Sequence, residues 1–292
     1  MLLRQVALVS ESNSIPSSEV NVVAAALQKQ ATRDFGPIWN VSATVDAYAK
    51  LEDVPIDYWP ILVQDDINEP GAAGIHLDKD GQPFSLVQAG PGWSLTASHE
   101  CLEMLADPFG NRMKAGKSPK KTQGRVRFLV EVCDPPEGEA FAYTVNAVQV
   151  SDFITPHFYD PVAAHGVRYS FTGAITKPRQ VLQGGYISWL EPKKDEWWQE
   201  VFFGNKPEFR NLGRLAREGK SLREMIDERT VSPELHRRMT ARRPTARAMA
   251  ARIMDNGHDA DGGKARAEAL HEQIDALRAA GREAMMAPAS RR

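Results

Sequence analysis

The sequence predicts an α+β fold, a front part of mixed strands carrying two helices and a helical C-terminal tail behind it. Three observations predict it. Helical spacing over residues 17–35 is followed by short runs rich in β-branched and aromatic residues. A second helical stretch, SLTASHECLEMLADP, is bracketed by a hairpin pattern and an alternating strand pattern. From Asn205 the texture turns to Arg/Ala/Glu-rich segments of helix-forming composition with few large apolar residues.

The elements follow in order. MLLRQVALVS reads as a first strand and not as a signal peptide, because its apolar run is short and broken by Arg4. Ser17 or Ser18 can cap the first helix, whose Val20, Val23, Leu27 and Ala31 make one apolar face. VSATVDAY, WPILVQDD, AGIHLD and FSLVQA then read as strands, the last two joined by a hairpin turn at DKDG. The helix over SLTASHECLEMLADP has Ser94 or Thr96 as cap and ends before Pro108, which disfavours helical backbone at the preceding residue. In RVRFLVEVCDPPEGE, Val126, Phe128, Val130 and Val132 alternate with Arg127, Leu129, Glu131 and Cys133, a strand with Asp134 at its exit. FAYTVNAVQVSDF, RYSFTGAI and QGGYISWL read as further β segments, with the GG as a turn or bulge.

Composition bounds the function. With 292 residues, 42% hydrophobic and 25% charged, the chain is neither a membrane span, a collagen-like repeat nor a mainly disordered polymer. A net charge of -2 hides an asymmetry, since residues 1–204 carry -8 and residues 205–292 carry +6. The expected division is therefore 1–204 and 205–292. Two cysteines, Cys101 and Cys133, cannot build a disulfide framework and fit a reducing compartment, so the expected location is the cytoplasm. Both read as small buried residues and not as nucleophiles.

The chemistry concentrates in SHECLEMLADP. His99 and Glu103 are four residues apart, so on a helix they share a face and can offer an imidazole nitrogen and a carboxylate oxygen to one cation. Glu100 stands beside them as a base able to take a proton from a cation-activated water. A catalytic zinc site needs a third protein ligand and an open position. Asp134 at the strand exit is the preferred third ligand, with Asp107 and Glu131 competing. Asp107 lies about 12 Å from His99 along an ideal helix and could join only through a sharp turn before Pro108.

HECLE resembles the HExxH signature of zincin-type metallopeptidases, with glutamate in place of the second histidine. The longer SHExxExxxDP string resembles a group of bacterial proteins with a zincin-like fold, over about Gln5 to Trp198, including EVCDP, VSDF with TPHFYDP, and GGYISW. The resemblance implies a twisted mixed sheet with an N-terminal helix and an active-site helix, zinc, and hydrolysis of peptide bonds with Glu100 as general base. It also implies an edge strand just before the active-site helix that holds an extended peptide, and FSLVQA occupies that place. Glu103 makes the donor set harder than a two-histidine site, so manganese, iron or calcium compete with zinc.

Other residues have plainer readings. His76 and His157 are expected as strand or turn residues, and Trp93, Trp189, Trp197 and Trp198 as packing aromatics. Tyr159, Tyr169 and Tyr186 are each candidates to donate to an oxyanion. The expected partner is a peptide or protein substrate. No membrane partner is expected, nucleic acid is disfavoured by the modest tail charge, and the tail is expected to bind a protein partner or itself. The competing class is a non-catalytic zincin-like peptide-binding or scaffold protein with a basic interaction tail.

Overall fold

The computed structural model describes residues 3–67, 72–79, 81–216 and 219–230. Strand β1 (Leu3–Ser10) lies parallel to β2 (Ser42–Tyr48) on one side and to β3 (Trp59–Gln64) on the other. Farther across, β4 (Gly74–Lys79) and β5 (Gln82–Gln88) form an antiparallel hairpin, and β5 runs parallel to β3. The order β2-β1-β3-β5-β4 is therefore a mixed sheet, and the architecture is α+β. Gly81, at φ 87°, takes the left-handed conformation a tight hairpin requires.

One expectation is corrected here. FSLVQA is β5 and has neighbours on both sides, so the edge strand is AGIHLD, β4. The hairpin commits one side of β5 to β4, and β3 takes the other.

The inner strands are buried on both faces, as parallel strands covered on two sides must be. Val6, Leu8, Ile61, Val63 and Val87 belong to the main core, while Ala7, Val9, Leu62, Phe84 and Leu86 join Leu51 and Ile67 on the opposite face. The main core is filled by helix α1 (Ser17–Lys29), through Val20, Val23, Ala24, Ala26 and Leu27. Pro16 occupies the cap position without a side-chain hydrogen bond, so neither Ser17 nor Ser18 caps the helix. A π-helical turn, Gln30–Phe35, and a short helix α2 (Gly36–Trp39) continue it. Gly36 is required by close approach, because a Cβ there would lie 2.6 Å from the Val41 carbonyl oxygen.

A second, wholly antiparallel sheet contains β6 (Met113–Lys117), β7 (Arg125–Leu129), β10 (Tyr186–Glu191), β11 (Glu196–Val201) and β12 (Glu208–Gly213), in the order β12-β11-β10-β7-β6. Between β7 and β10, β8 (Tyr143–Val145) and β9 (Val148–Val150) form a small hairpin. The strand expected to run through Cys133 ends at Leu129. Residues 130–134 are all buried, and their backbone groups go to scattered partners, among them a side chain and the first residue of β10, and not to a continuous ladder. Val130 N–H donates to Arg112, and the Val132 carbonyl accepts from Ile154. RYSFTGAI contributes only an isolated bridge between Ser170 and Ile154.

Beyond Gly204 the expected helical tail begins instead with β12, paired to β11. Helix α4 (Leu222–Thr230) then packs Leu222, Met225 and Ile226 against Leu129, Trp197 and Leu212. The expected boundary thus falls inside a sheet and its covering helix. EFRNLG holds only two large apolar residues, too few to stand out against an arginine-rich background. The later segment expected as helical, KARAEALHEQIDALRAAGREAMM, and the separators RRPTAR and DNGHDADGGK before it lie outside the described residues.

Candidate metal centre

Helix α3 (Trp93–Ala106) carries the motif and packs between the first sheet and the β8–β9 hairpin. It starts after Gly92 at φ 78°, with no side-chain cap from Ser94 or Thr96. Its position is fixed one residue before His99 by a closed ring of hydrogen bonds. Ser98 Oγ donates to Gln30 Oε1 (2.7 Å), Gln30 Nε2 donates to the Ser151 carbonyl (2.9 Å), and Ser151 N–H donates to Ser98 Oγ (2.9 Å). The π-helical turn places Gln30 to close that ring.

His99 Nε2 lies 3.9 Å from Glu103 Oε1 and 3.1 Å from Asp134 Oδ1. Among the described residues, His99, Glu103 and Asp134 form the group whose donor atoms all fall within 4.8 Å of one another. Two ligands about 2.1 Å from a tetrahedral ion sit about 3.4 Å apart, so these spacings bracket what such an ion requires. Asp134 Oδ1 and Oδ2 are buried without a hydrogen-bond partner, as are both carboxylate oxygens of Glu131. Acceptors left bare in this way are costly unless a cation or a proton meets them. The donor set of one imidazole and two carboxylates fits zinc or a harder divalent ion.

Backbone contacts hold Asp134 in place. Cys133 N–H donates to Glu103 Oε1 at 2.8 Å, and Tyr186 N–H donates to the Asp134 carbonyl at 3.1 Å. Gly185 makes this possible, since a Cβ there would stand 2.4 Å from that carbonyl oxygen. The other two third-ligand candidates are placed differently. Asp107 is the C-terminal cap of α3, accepting from Asn111 N–H (3.1 Å) and Arg112 N–H (2.6 Å). Glu131 lies outside the group of three and faces Arg223, 3.8 Å away.

Arg223, on α4, is the residue sequence reasoning missed. Its Nη1 donates to Glu103 Oε2 and stands 3.8 Å from both Glu131 Oε1 and Asp134 Oδ2. A signal existed: Leu222, Met225 and Ile226 at helical spacing make a buried stripe, and Arg223 flanks it. His76 was expected only as a strand residue. It is buried on β4, with Nδ1 3.6 Å from Glu100 Oε2. Gly74, two residues earlier on the same strand, faces Glu100 too, its virtual Cβ 2.8 Å from Oε1.

The charges explain the protonation pattern. Burial pushes the Glu103 carboxyl up, the Asp134 charge adds to this, and Arg223 and His99 only partly offset it, leaving it at about 8. Burial, then Asp134, raises Glu131 well above the usual carboxylate range. For His99, burial pulls the imidazole down, but contact with Asp134 and the charges of Glu100 and Glu103 outweigh it and hold it up at about 10. Asp134 and Glu100 stay low despite burial, Asp134 through Arg223 and His99 and Glu100 through its contact with His76 and the charge of His99. His76 is lowered by burial and by Arg223, which keeps it neutral.

Of the tyrosines, Tyr169 is occupied by accepting from Ala164 N–H at 2.8 Å. Tyr159 and Tyr186 are raised by burial and then by the acidic cluster, Tyr159 by Glu131 and Tyr186 by Asp134. His157 pairs with Asp160 at the surface (2.8 Å). Both cysteines are buried, and burial pushes Cys101 up to about 12 and Cys133 well above its ordinary value.

Comparison with protein-family models, curated proteins and solved structures returns no match. Among the described residues, no helix is long and apolar enough to cross a membrane.

Proposed function

We propose that the protein is a metal-dependent hydrolase of peptide bonds on a zincin-like plan. His99, Glu103 and Asp134 hold a divalent cation, zinc first among the candidates. The observation that carries this reading is the convergence of those three side chains from two separate elements, their donor atoms all within 4.8 Å of one another, with both Asp134 oxygens buried and without a hydrogen-bond partner. A cation there supplies Lewis acidity, lowering the pKa of water from 15.7 to about 7. Glu100 accepts the proton of the attacking water and passes it to the leaving amine. Its low carboxyl pKa keeps it ready as a base, and neutral His76 supports it from the edge strand. Strand β4 is the last in the sheet order among the described residues and lies beside α3, where an extended peptide can add as a strand.

Burial favours a second reading. The side chains of Glu103 and Asp134 are 0% and 1% exposed and that of His99 only 12%, and structural zinc sites are closed in this way. In that case the cation braces a peptide-binding or scaffold protein without turnover.

The test is elemental analysis of protein purified without chelator, followed by a peptide-library digest with wild type and Glu100→Gln. One divalent cation per chain in both proteins, with cleavage only by wild type, is the expected result. Metal without cleavage in either supports the scaffold reading. Absence of stoichiometric metal overturns both, and equal cleavage by the two proteins removes Glu100 from its role.

A further inference from the structure

We propose that Arg223 is a positioning residue for the cation site, a clamp that makes Glu103 and Asp134 each present a single oxygen to the ion. This rests on the reading of His99, Glu103 and Asp134 as ligands, and it assigns a role in that site to helix α4. The geometry is a division of oxygens. Glu103 Oε1 and Asp134 Oδ1 face His99 Nε2, at 3.9 Å and 3.1 Å. The opposite oxygens, Glu103 Oε2 and Asp134 Oδ2, face Arg223 Nη1, the first as a hydrogen bond and the second at 3.8 Å. The guanidinium therefore lies behind the carboxylates and not among the atoms that would surround an ion. A cation substitute would sit on the same oxygens that His99 faces, which Arg223 does not.

Charge leads to the same role. Arg223 Nη1 faces carboxylate oxygens of Glu103, Glu131 and Asp134, and removing it takes away the guanidinium behind the two ligand carboxylates, which low-dielectric surroundings penalise. Arg223 is itself held by its place on the fold. Its backbone N–H donates to the Gly110 carbonyl, its Nε stands 3.5 Å from Asp227, and neighbouring Leu222, Met225 and Ile226 anchor the helix. Partners that orient metal ligands typically govern affinity by 10–100-fold.

The experiment loads Co²⁺ into full-length wild type, Arg223→Gln and Arg223→Lys, and reads the visible absorption of the bound cobalt and its affinity by chelator competition. Far-UV circular dichroism confirms the fold of each. We expect Arg223→Gln to bind cobalt about 10–100-fold more weakly with an altered spectrum, since freed carboxylates can rotate and offer both oxygens. Arg223→Lys is expected to recover affinity in part while its spectrum stays altered, because lysine restores charge without the planar fork. Wild-type affinity and spectrum in Arg223→Gln, or tighter binding, overturns the clamp while leaving the metal site standing. If Arg223→Gln does not fold, an unchanged spectrum in Arg223→Lys overturns it equally. Failure of wild type itself to bind cobalt overturns the site reading and the clamp with it.

Discussion

Replacing Glu103 by glutamine is expected to stabilise the metal-free protein at neutral pH while abolishing its response to metal. Burial and Asp134 raise the Glu103 carboxyl from 4.5 to about 8 in the folded state. Between those values the folded chain binds more protons than the unfolded one, so stability falls as pH rises through that window. At pH 7 the wild-type chain has lost on the order of 3 kcal/mol relative to a side chain that never ionises. At about 2–4 °C per kcal/mol for a chain of this size, Glu103→Gln melts at most roughly 10 °C above wild type at pH 7, and the difference closes near pH 4. Glutamine has a single oxygen, which keeps the Cys133 N–H bond, while its amide NH2 faces Arg223 and loses that hydrogen bond, offsetting part of the gain. Thermal denaturation in chelator from pH 4 to pH 8, repeated with saturating Zn²⁺, measures all of this. Wild type rises with zinc and the variant does not. A Glu103→Gln protein that melts below wild type at pH 7 in chelator would refute the reasoning, because the Arg223 ion pair would then outweigh the crowding of negative charge.

Two further outcomes separate structural roles from the site. Asp107→Ala leaves Asn111 and Arg112 N–H without their acceptor, so it should lower stability by about 1–3 kcal/mol in urea denaturation while metal content stays at the wild-type value. Ala147→Gly should raise stability by roughly 1 kcal/mol in the same assay, because Ala147 holds φ 63° beside Asn146 at φ 49° in the β8–β9 turn, where Asn-Gly is the favoured pair. No change in the second case would mean that packing of the alanine methyl offsets its backbone strain.

Local pattern made much of this legible, and long-range closure made the rest obscure. Helix α1 and the five strands of the first sheet follow from spacing and β-branched runs, since each buries a face that a short window displays. His99 and Glu103 were legible because one helical turn fixes their relation. Asp134 could be named as a candidate, but that it, and not Asp107 or Glu131, converges with His99 and Glu103 depends on where backbone amides fall. Asp107 is consumed by the turn after α3, and Glu131 points towards α4. Residues 130–134 alternate like a strand, yet their hydrogen bonds go to scattered partners, Arg112, Ile154, the Glu103 side chain and Tyr186, which no periodicity reports. Arg223 was hidden because composition assigned it to a polar tail. Its burial is a property of β12 and α4 closing on the second sheet, 120 residues after Glu103 in the chain.

The way the two sheets meet has a chemical consequence. Helix α3, on the first sheet, brings His99, Glu100 and Glu103, while the segment leaving β7 of the second sheet brings Glu131 and Asp134. Packing these elements together concentrates buried carboxylates against one guanidinium, Arg223, and two imidazoles, His99 and His76. Such a cluster persists only by taking up protons or a cation. In the protonated form Glu103 rises to about 8 and His99 to about 10. Those protons occupy the same donor atoms that a metal requires bare, so a metal bound there would release them and its affinity would climb with pH. Arg223 limits how far the cluster can spread by drawing the outer oxygens back, which leaves the inner ones converged whether protons or a metal ion fill the site.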